Sequence, residues 1–122
     1  MAAPRNAAKP NSRAHRRPSD RAALVELPAA GCDLPVPDMP GGRDWSEIEQ
    51  DRWAELWGSP QASQWDESCR GTVAVLIAYE TAILADCAAA WQAQEARYAS
   101  EALGLTPRAL GQLGWRIVSE ED

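Results

Sequence analysis

Between residues 72 and 103 the chain holds neither glycine nor proline, and its apolar positions recur at helical spacing. Val73, Leu76, Ile77, Ile83, Leu84 and Cys87 trace one face, while Val75, Tyr79 and Ala82 trace a second. Apolar surface on two sides of a helix requires burial on two sides. Trp91, Tyr98, Ala102 and Leu105 continue at steps of 7, 4 and 3 residues, with Glu95 filling the missing step. A single helix over this stretch would extend about 48 Å. The other solution is an antiparallel hairpin bending near residues 86–90. A compact domain favours the hairpin, although no turn residue announces it.

The flanking segments are better punctuated. Asp44-x-x-Glu47 and Ser46-x-x-Glu49 are overlapping capping-box signatures that satisfy the free N–H groups of a first turn. Trp45, Ile48, Trp53, Leu56 and Trp57 make the apolar face of the helix they open, and Gly58 stops it. Ser59-Pro60 starts a short second helix by N-cap and N1, anchored by Trp65, and Arg70-Gly71-Thr72 reads as a bend or a helix start. Gly104, within Leu103-Gly104-Leu105-Thr106-Pro107, closes a helix in a left-handed cap, and Thr106-Pro107 opens another. Leu110, Leu113 and Ile117 give that last helix its stripe, with Trp115 beside it. Gly111 and Gly114 inside it each cost about 1 kcal/mol relative to Ala, so close packing against both is expected.

Seven of the nine prolines precede residue 41. Prolines at 35, 37 and 40 force their predecessors into extended conformations, which makes residues 24–43 a polyproline-like strap. Its Leu24, Leu27, Leu34, Val36 and Met39 must lie on the helical body, their own or a neighbour's. Residues 1–23 are small, basic and broken by proline, a composition that predicts disorder in the free protein. Arg5, Lys9, Arg13, Arg17 and Arg21 recur every fourth residue, but Pro10 and Pro18 interrupt any helix there. Such a segment suits wrapping along a phosphate backbone better than rigid insertion into a groove.

Composition thins the expected core. The 122 residues include 23 Ala and no Phe, and Val, Ile and Leu number 19, about 16%. That lies below the ~20% at which a charged chain approaches disorder. Six Trp and two Tyr offset the shortage, since each buried aromatic removes ~150–250 Å² from water. A small helical module that completes its core against copies of itself fits better than a large enzyme with a deep pocket. The net charge of −6 conceals a polarity: residues 1–21 carry six basic side chains against Asp20, giving +5, and the remainder carries −11. A basic arm on an acidic body is a nucleic-acid or partner-binding pattern.

Catalytic constellations are poorly supplied. The single histidine, His15, lies between arginines in the arm, so no Ser or Cys has a plausible base. Cys32, Cys69 and Cys87 form no close pair and no metal-ligand spacing, and no glycine-rich phosphate loop occurs. No cofactor, metal or catalytic residue is expected. Glu47, Glu49, Asp51, Asp66 and Glu67 read as helix-start and surface charges. Glu80 and Glu95 lie on apolar stripes, either as flank positions reaching solvent or as partners of Arg97 or Arg70 across a subunit contact. Reduced thiols, and the absence of a secretory or membrane-length apolar run, point to a cytoplasmic protein without a membrane partner.

Four segments, in order, resemble the small terminase subunits of tailed bacteriophages, particularly of the actinobacteriophage type. They are the strap Leu27-Pro28-Ala29-Ala30-Gly31-Cys32-Asp33-Leu34-Pro35-Val36-Pro37, the junction Trp53-Ala54-Glu55-Leu56-Trp57-Gly58-Ser59-Pro60-Gln61-Ala62-Ser63-Gln64-Trp65, Glu95-Ala96-Arg97 with the Leu-Thr-Pro motif at 105–107, and Trp115-Arg116-Ile117. The resemblance spans residues 24–118. It implies an α-helical, non-enzymatic homo-oligomeric ring in the cytoplasm of the infected bacterial host. Such a ring recognises double-stranded viral DNA and presents it to the large ATPase/nuclease subunit. The helix after Leu-Thr-Pro is usually arginine-rich in that family, whereas here only Arg108 and Arg116 remain. The arm is therefore the better DNA-binding candidate.

The resulting expectation is an all-α fold with a helical hairpin core and short flanking helices. It comprises a disordered basic arm (1–23), a proline-rich extended strap (24–43), a helical oligomerisation domain (44–118) and an acidic tail (119–122). Arg5, Lys9, Arg13, Arg16, Arg17 and Arg21 are the expected DNA contacts. Trp53, Trp57, Trp65, Leu76, Ile83, Trp91 and Tyr98 are expected in the core or between subunits, rather than stacked on bases, because the body around them is acidic. The competing reading is a non-enzymatic protein–protein adaptor, such as a head-assembly or antitoxin-like factor, whose arm binds no DNA. The acidic tail is either a solvated end or a docking peptide for a basic partner.

Overall fold

The computed structural model describes residues 24–119. The expected DNA contacts Arg5, Lys9, Arg13, Arg16, Arg17 and Arg21, and residues 120–122 of the acidic tail, lie outside the described residues. The order of elements is strand β1 (Val25–Pro28), helix α1 (Glu47–Trp57), short 3-10 helices at Pro60–Gln64 and Glu67–Cys69, helices α2 (Arg70–Leu84), α3 (Ala90–Ala102) and α4 (Pro107–Leu113), and strand β2 (Trp115–Val118). The described fold is mostly helical, with one short two-stranded sheet.

Helix α1 opens on one of its two overlapping signatures. Ser46 Oγ accepts from the Glu49 amide at 3.2 Å, and Glu49 Oε1 accepts from the Ser46 amide at 2.9 Å. Two donors that the helix leaves without partners are thereby satisfied. Glu49 is buried, not a surface charge, because Arg43 Nη2 donates to its other oxygen at 3.0 Å. Trp53, Leu56 and Trp57 turn inward, whereas Ile48, expected on the same face, is 74% exposed.

Helices α2 and α3 are separated by residues 85–89, where Asp86 adopts φ 60°. Asp is one of the few residues with a side chain that tolerates this left-handed conformation. The two helices pack antiparallel: Gly71 and Thr72 at the start of α2 share a groove with Ala99 and Ala102 near the end of α3. Nearer the turn, Tyr79 meets Trp91 edge-on at 5.7 Å. Val73, Ala74, Leu76 and Ile77 of α2 and Ala96 and Ala99 of α3 are buried together.

The end of α3 is closed from two directions. Leu105 N donates to Ser100 O at 2.9 Å and Gly104 N to Glu101 O at 3.2 Å, with Gly104 at φ 75°. This is the paired bonding of a Schellman cap. The carbonyls of Leu103 and Gly104 receive side chains from the 3-10 region: Trp65 Nε1 donates to Leu103 O at 3.0 Å and Gln61 Nε2 to Gly104 O at 3.1 Å. Trp53, Trp57 and Trp65 pack in sequence, the first pair tilted and the second edge-to-face, with ring centroids 5.7 and 5.1 Å apart.

The last helix ends earlier than its apolar stripe predicts. Helix α4 begins with Thr106 Oγ1 accepting from Ala109 N at 3.0 Å and stops at Leu113, because Gly114 takes φ 75°. Gly114 is thus a terminator, with Leu24 Cδ2 3.4 Å from where its Cβ would stand, while nothing lies within 4 Å of a Cβ at Gly111. Trp115 to Val118 form β2, parallel to β1 in the register Val25↔Trp115 to Pro28↔Val118. Parallel strands need a crossover connection, and here the entire helical body serves as one. The purely helical expectation for 44–118 is corrected at this point. Leu27 is fully buried beneath the strand pair, and the Trp115 ring covers Gly104 closely enough to leave no room for a Cβ.

Between β1 and α1 the chain is held by side chains that reach its carbonyls. Trp53 Nε1 donates to Pro37 O at 2.7 Å, Trp45 Nε1 to Pro40 O at 2.9 Å and Arg70 Nε to Asp38 O at 2.7 Å. Proline residues have no backbone N–H, so the two indoles take the one backbone polar group that Pro37 and Pro40 retain, while Arg70 takes the carbonyl of Asp38.

Candidate functional site

The expected core and subunit residues divide into two groups. Trp53, Trp57, Trp65 and Leu76 are buried within the chain's own core. Ile83, Trp91 and Tyr98 are 38%, 58% and 47% exposed, all on the α2–α3 pair. Val75 and Leu84 are exposed on the same pair. Apolar surface on more than one side of these helices is therefore not consumed by the fold of one chain.

That surface forms two grooves. One, open and of about 520 Å³, is lined by Gly71, Val75, Glu95, Tyr98, Ala99 and Ala102. The other, of about 200 Å³, is bounded by Leu76, Glu80, Ile83, Leu84, Ala96 and Arg97. Successive helical residues are rotated by about 100°. Glu95 and Arg97 thus project from opposite flanks of α3.

The ion pairs fix which charges remain available. Arg52 Nε and Nη2 donate to the two carboxylate oxygens of Glu80 at 2.9 and 3.2 Å, and Arg52 also pairs with Glu55. The hydrogen bond to Glu80 raises the Arg52 pKa above its ordinary value, with partial burial opposing and Glu55 assisting. The partner of Glu80 is therefore Arg52 of the same chain, not Arg97 or Arg70 across a subunit contact. Arg70 is engaged by Glu67 at 3.2 Å and by the Asp38 carbonyl. Glu95 and Arg97 enter no ion pair among the described residues, and the Arg97 guanidinium stands 5.3 Å from the Tyr98 ring.

Residues 24–119 carry six arginines against fourteen carboxylates, a balance of −8. Such a surface repels phosphate, and the exposed Arg108 and Arg116 are isolated within it. Asp66 caps the 3-10 helix at Glu67–Cys69, and its pKa is lowered by hydrogen bonds from the Ser68 hydroxyl and then the Ser68 amide. Cys32, Cys69 and Cys87 are unpaired thiols. Among the described residues no group of three His, Cys, Asp or Glu side chains is placed to hold a metal ion, and no helix is long and apolar enough to cross a membrane. Sequence reasoning missed Gln61, a buried amide holding the end of α3; a glutamine in a short helix gives no periodic signal of that role.

A family model described as phage terminase small subunit matches residues 4–120. No curated protein and no solved structure matches this chain.

Proposed function

The chain belongs to the phage terminase small-subunit family, and from that premise we propose that it binds viral DNA as a homo-oligomeric ring and presents it to the large terminase subunit. Membership gives it a part in phage genome packaging, in a family that is generally the non-catalytic component. The large subunit supplies ATPase and nuclease activity, and the work takes place in the cytoplasm of the infected host. The family match carries the reading, and charge assigns the parts within it. The described body bears −8 and residues 1–21 bear +5, so Arg5, Lys9, Arg13, Arg16, Arg17 and Arg21 are the phosphate contacts. A segment without rigid base-edge donors reads sequence weakly.

The test compares the full chain with a chain lacking residues 1–21 on a duplex of viral sequence, by fluorescence anisotropy. Truncation is expected to abolish binding and leave the native mass unchanged. Binding retained after truncation overturns the assignment to the arm. An intact chain that binds no DNA in low salt favours the protein–protein adaptor instead.

A further inference from the structure

We infer that the basic segment Lys9–Pro18 docks in a cleft between the strap and the two 3-10 helices of its own chain, so that this cleft and DNA compete for the same arginines. The docking stands on the chemistry of the cleft, and the competition rests on the DNA reading above.

The cleft holds about 190 Å³. Pro35 and Pro37 line it from the strap, Trp57 and Trp65 from the helical body, and the exposed residues Asp66 and Glu67 add two carboxylates. Small-molecule sites run to ~300–1,000 Å³, so this one suits a side chain or two rather than a cofactor. Aromatic walls of this kind take extended proline-containing segments, and the carboxylates select a basic one. Both carboxylates remain open to a further cation. Glu67 pairs with Arg70 at 3.2 Å, but its side chain is 80% exposed, and exposed pairs are weak. Asp66 is bonded only by the neutral donors of Ser68. Trp57 Nε1 is buried and has no hydrogen-bond partner among the described residues, whereas Trp45 and Trp53 each donate to a proline carbonyl. An entering proline segment carries the same acceptor.

The occupant is named by charge and by reach. Lys9-Pro10 and Arg17-Pro18 each put a cation beside a proline, with Arg13 and Arg16 between them. The described body carries −8 against the +5 of residues 1–21. Fourteen residues of chain lead from Leu24 back to Pro10, a reach of about 46–50 Å, while eight lead from Leu24 to Cys32 at the cleft, at most about 29 Å. The segment therefore reaches the cleft of its own chain. Tethering gives it an effective concentration on the order of millimolar, so a weak contact suffices to hold it, and a phosphate backbone with counterions to release can draw it away.

The experiment is hydroxyl-radical footprinting of the full chain in low salt. It is read at Leu34 and Pro35, which line the cleft and are exposed, against Leu84, which does not line it. The comparison is a full-length variant carrying Lys9→Gln, Arg13→Gln, Arg16→Gln and Arg17→Gln, with far-UV circular dichroism to verify its fold. Labelling of Leu34 and Pro35 is expected to rise at least about twofold, as release of a segment docked half the time or more requires, with Leu84 unchanged. Glu67→Gln moves labelling in the same direction, and so does a bound duplex of viral sequence added to the natural chain. Unchanged labelling in the fourfold variant overturns the docking and leaves the DNA reading untouched. Labelling of the natural chain that rises on dilution puts the segment in another copy's cleft and overturns docking within one chain. If the fourfold variant shows the rise but a bound duplex does not, the competition is overturned, together with the assignment of DNA contacts to this segment. A chain that binds no duplex loses the DNA reading and the competition together, while the fourfold variant still decides the docking.

Discussion

Gly31 stands where the chain leaving β1 passes the end of α1. Its φ is 100°, and an added Cβ would lie 2.2 Å from the Gly58 carbonyl oxygen. The next amide, Cys32 N, donates to that same oxygen at 3.1 Å. Gly31→Ala must therefore move backbone against backbone, in addition to the ~1–2 kcal/mol of left-handed strain. Gly111 is the opposite case, a helical glycine with open space around it. Gly111→Ala is expected to stabilise by about 0.5–1 kcal/mol, and urea denaturation of the two variants should shift in opposite directions. Asp66 provides a pH dependence with a definite sign. Hydrogen bonds from Ser68 favour its charged form and lower its folded pKa. Its contribution is therefore present above the unfolded value near ~3.9 and is lost as pH falls through the lower folded value. The gap in urea midpoint between the natural chain and Asp66→Ala should be constant at neutral pH and close at acid pH. A gap that widens in acid would contradict this account.

At the scale of elements, the fold is fastened by indoles and by one leucine. Trp45, Trp53 and Trp65 each donate to a backbone carbonyl of a segment distant in sequence or lacking helical bonds, so the tryptophans do more than fill volume. The strand pair is only four residues long on each side, and an isolated two-stranded ribbon is marginal in water. It persists because Leu27 enters the core at full burial. Leu27→Ala is expected to cost about 2–5 kcal/mol, a large part of the ~5–15 kcal/mol available to a domain. Amide exchange should show β1, β2 and residues 29–40 losing protection together while α2 and α3 retain theirs. Uniform loss across all helices would mean that the strands are integral to the helical core. The helix boundaries at Ser46, Thr106 and Gly104 were legible because capping is local chemistry. The α2–α3 turn was legible only as one of two alternatives, since it turns on Asp86 rather than on glycine.

Across the whole molecule, charge divides the chain into two unlike parts. The body carries −8 among residues 24–119, and six basic side chains precede it. Neutralising each phosphate contributes roughly 0.9 to the log–log salt slope on duplex DNA. One arm engaging all six charges would then give a slope near −5, and several arms of one assembly a steeper one. Changing Arg13, Arg16 and Arg17 to Gln should reduce that slope by about half, and a slope unaffected by the triple change would place the phosphate contacts elsewhere. The exposed apolar flanks of α2 and α3 belong to this scale as well. Leu84, Trp91 and Tyr98 remain exposed there, in a chain with 19 Val, Ile and Leu residues in 122.

The sequence by itself determined what depends on neighbours within a few residues. The caps at Ser46 and Thr106, the left-handed close at Gly104 and the acidic and basic halves follow from side chains acting on their own stretch of backbone. The four segments of family resemblance were legible in the same way, and the match over residues 4–120 agrees with them. Tertiary structure alone decided what depends on distant partners. The stripe Leu110–Leu113–Ile117 reads as helix until Gly114 turns and Val25 to Pro28 supply a ladder for residues 115–118. A parallel partner leaves no hairpin signal. Glu80 finds Arg52 across a helix pair, and Gln61 finds a carbonyl 43 residues away, because a buried or half-buried polar group takes whichever partner packing brings within reach.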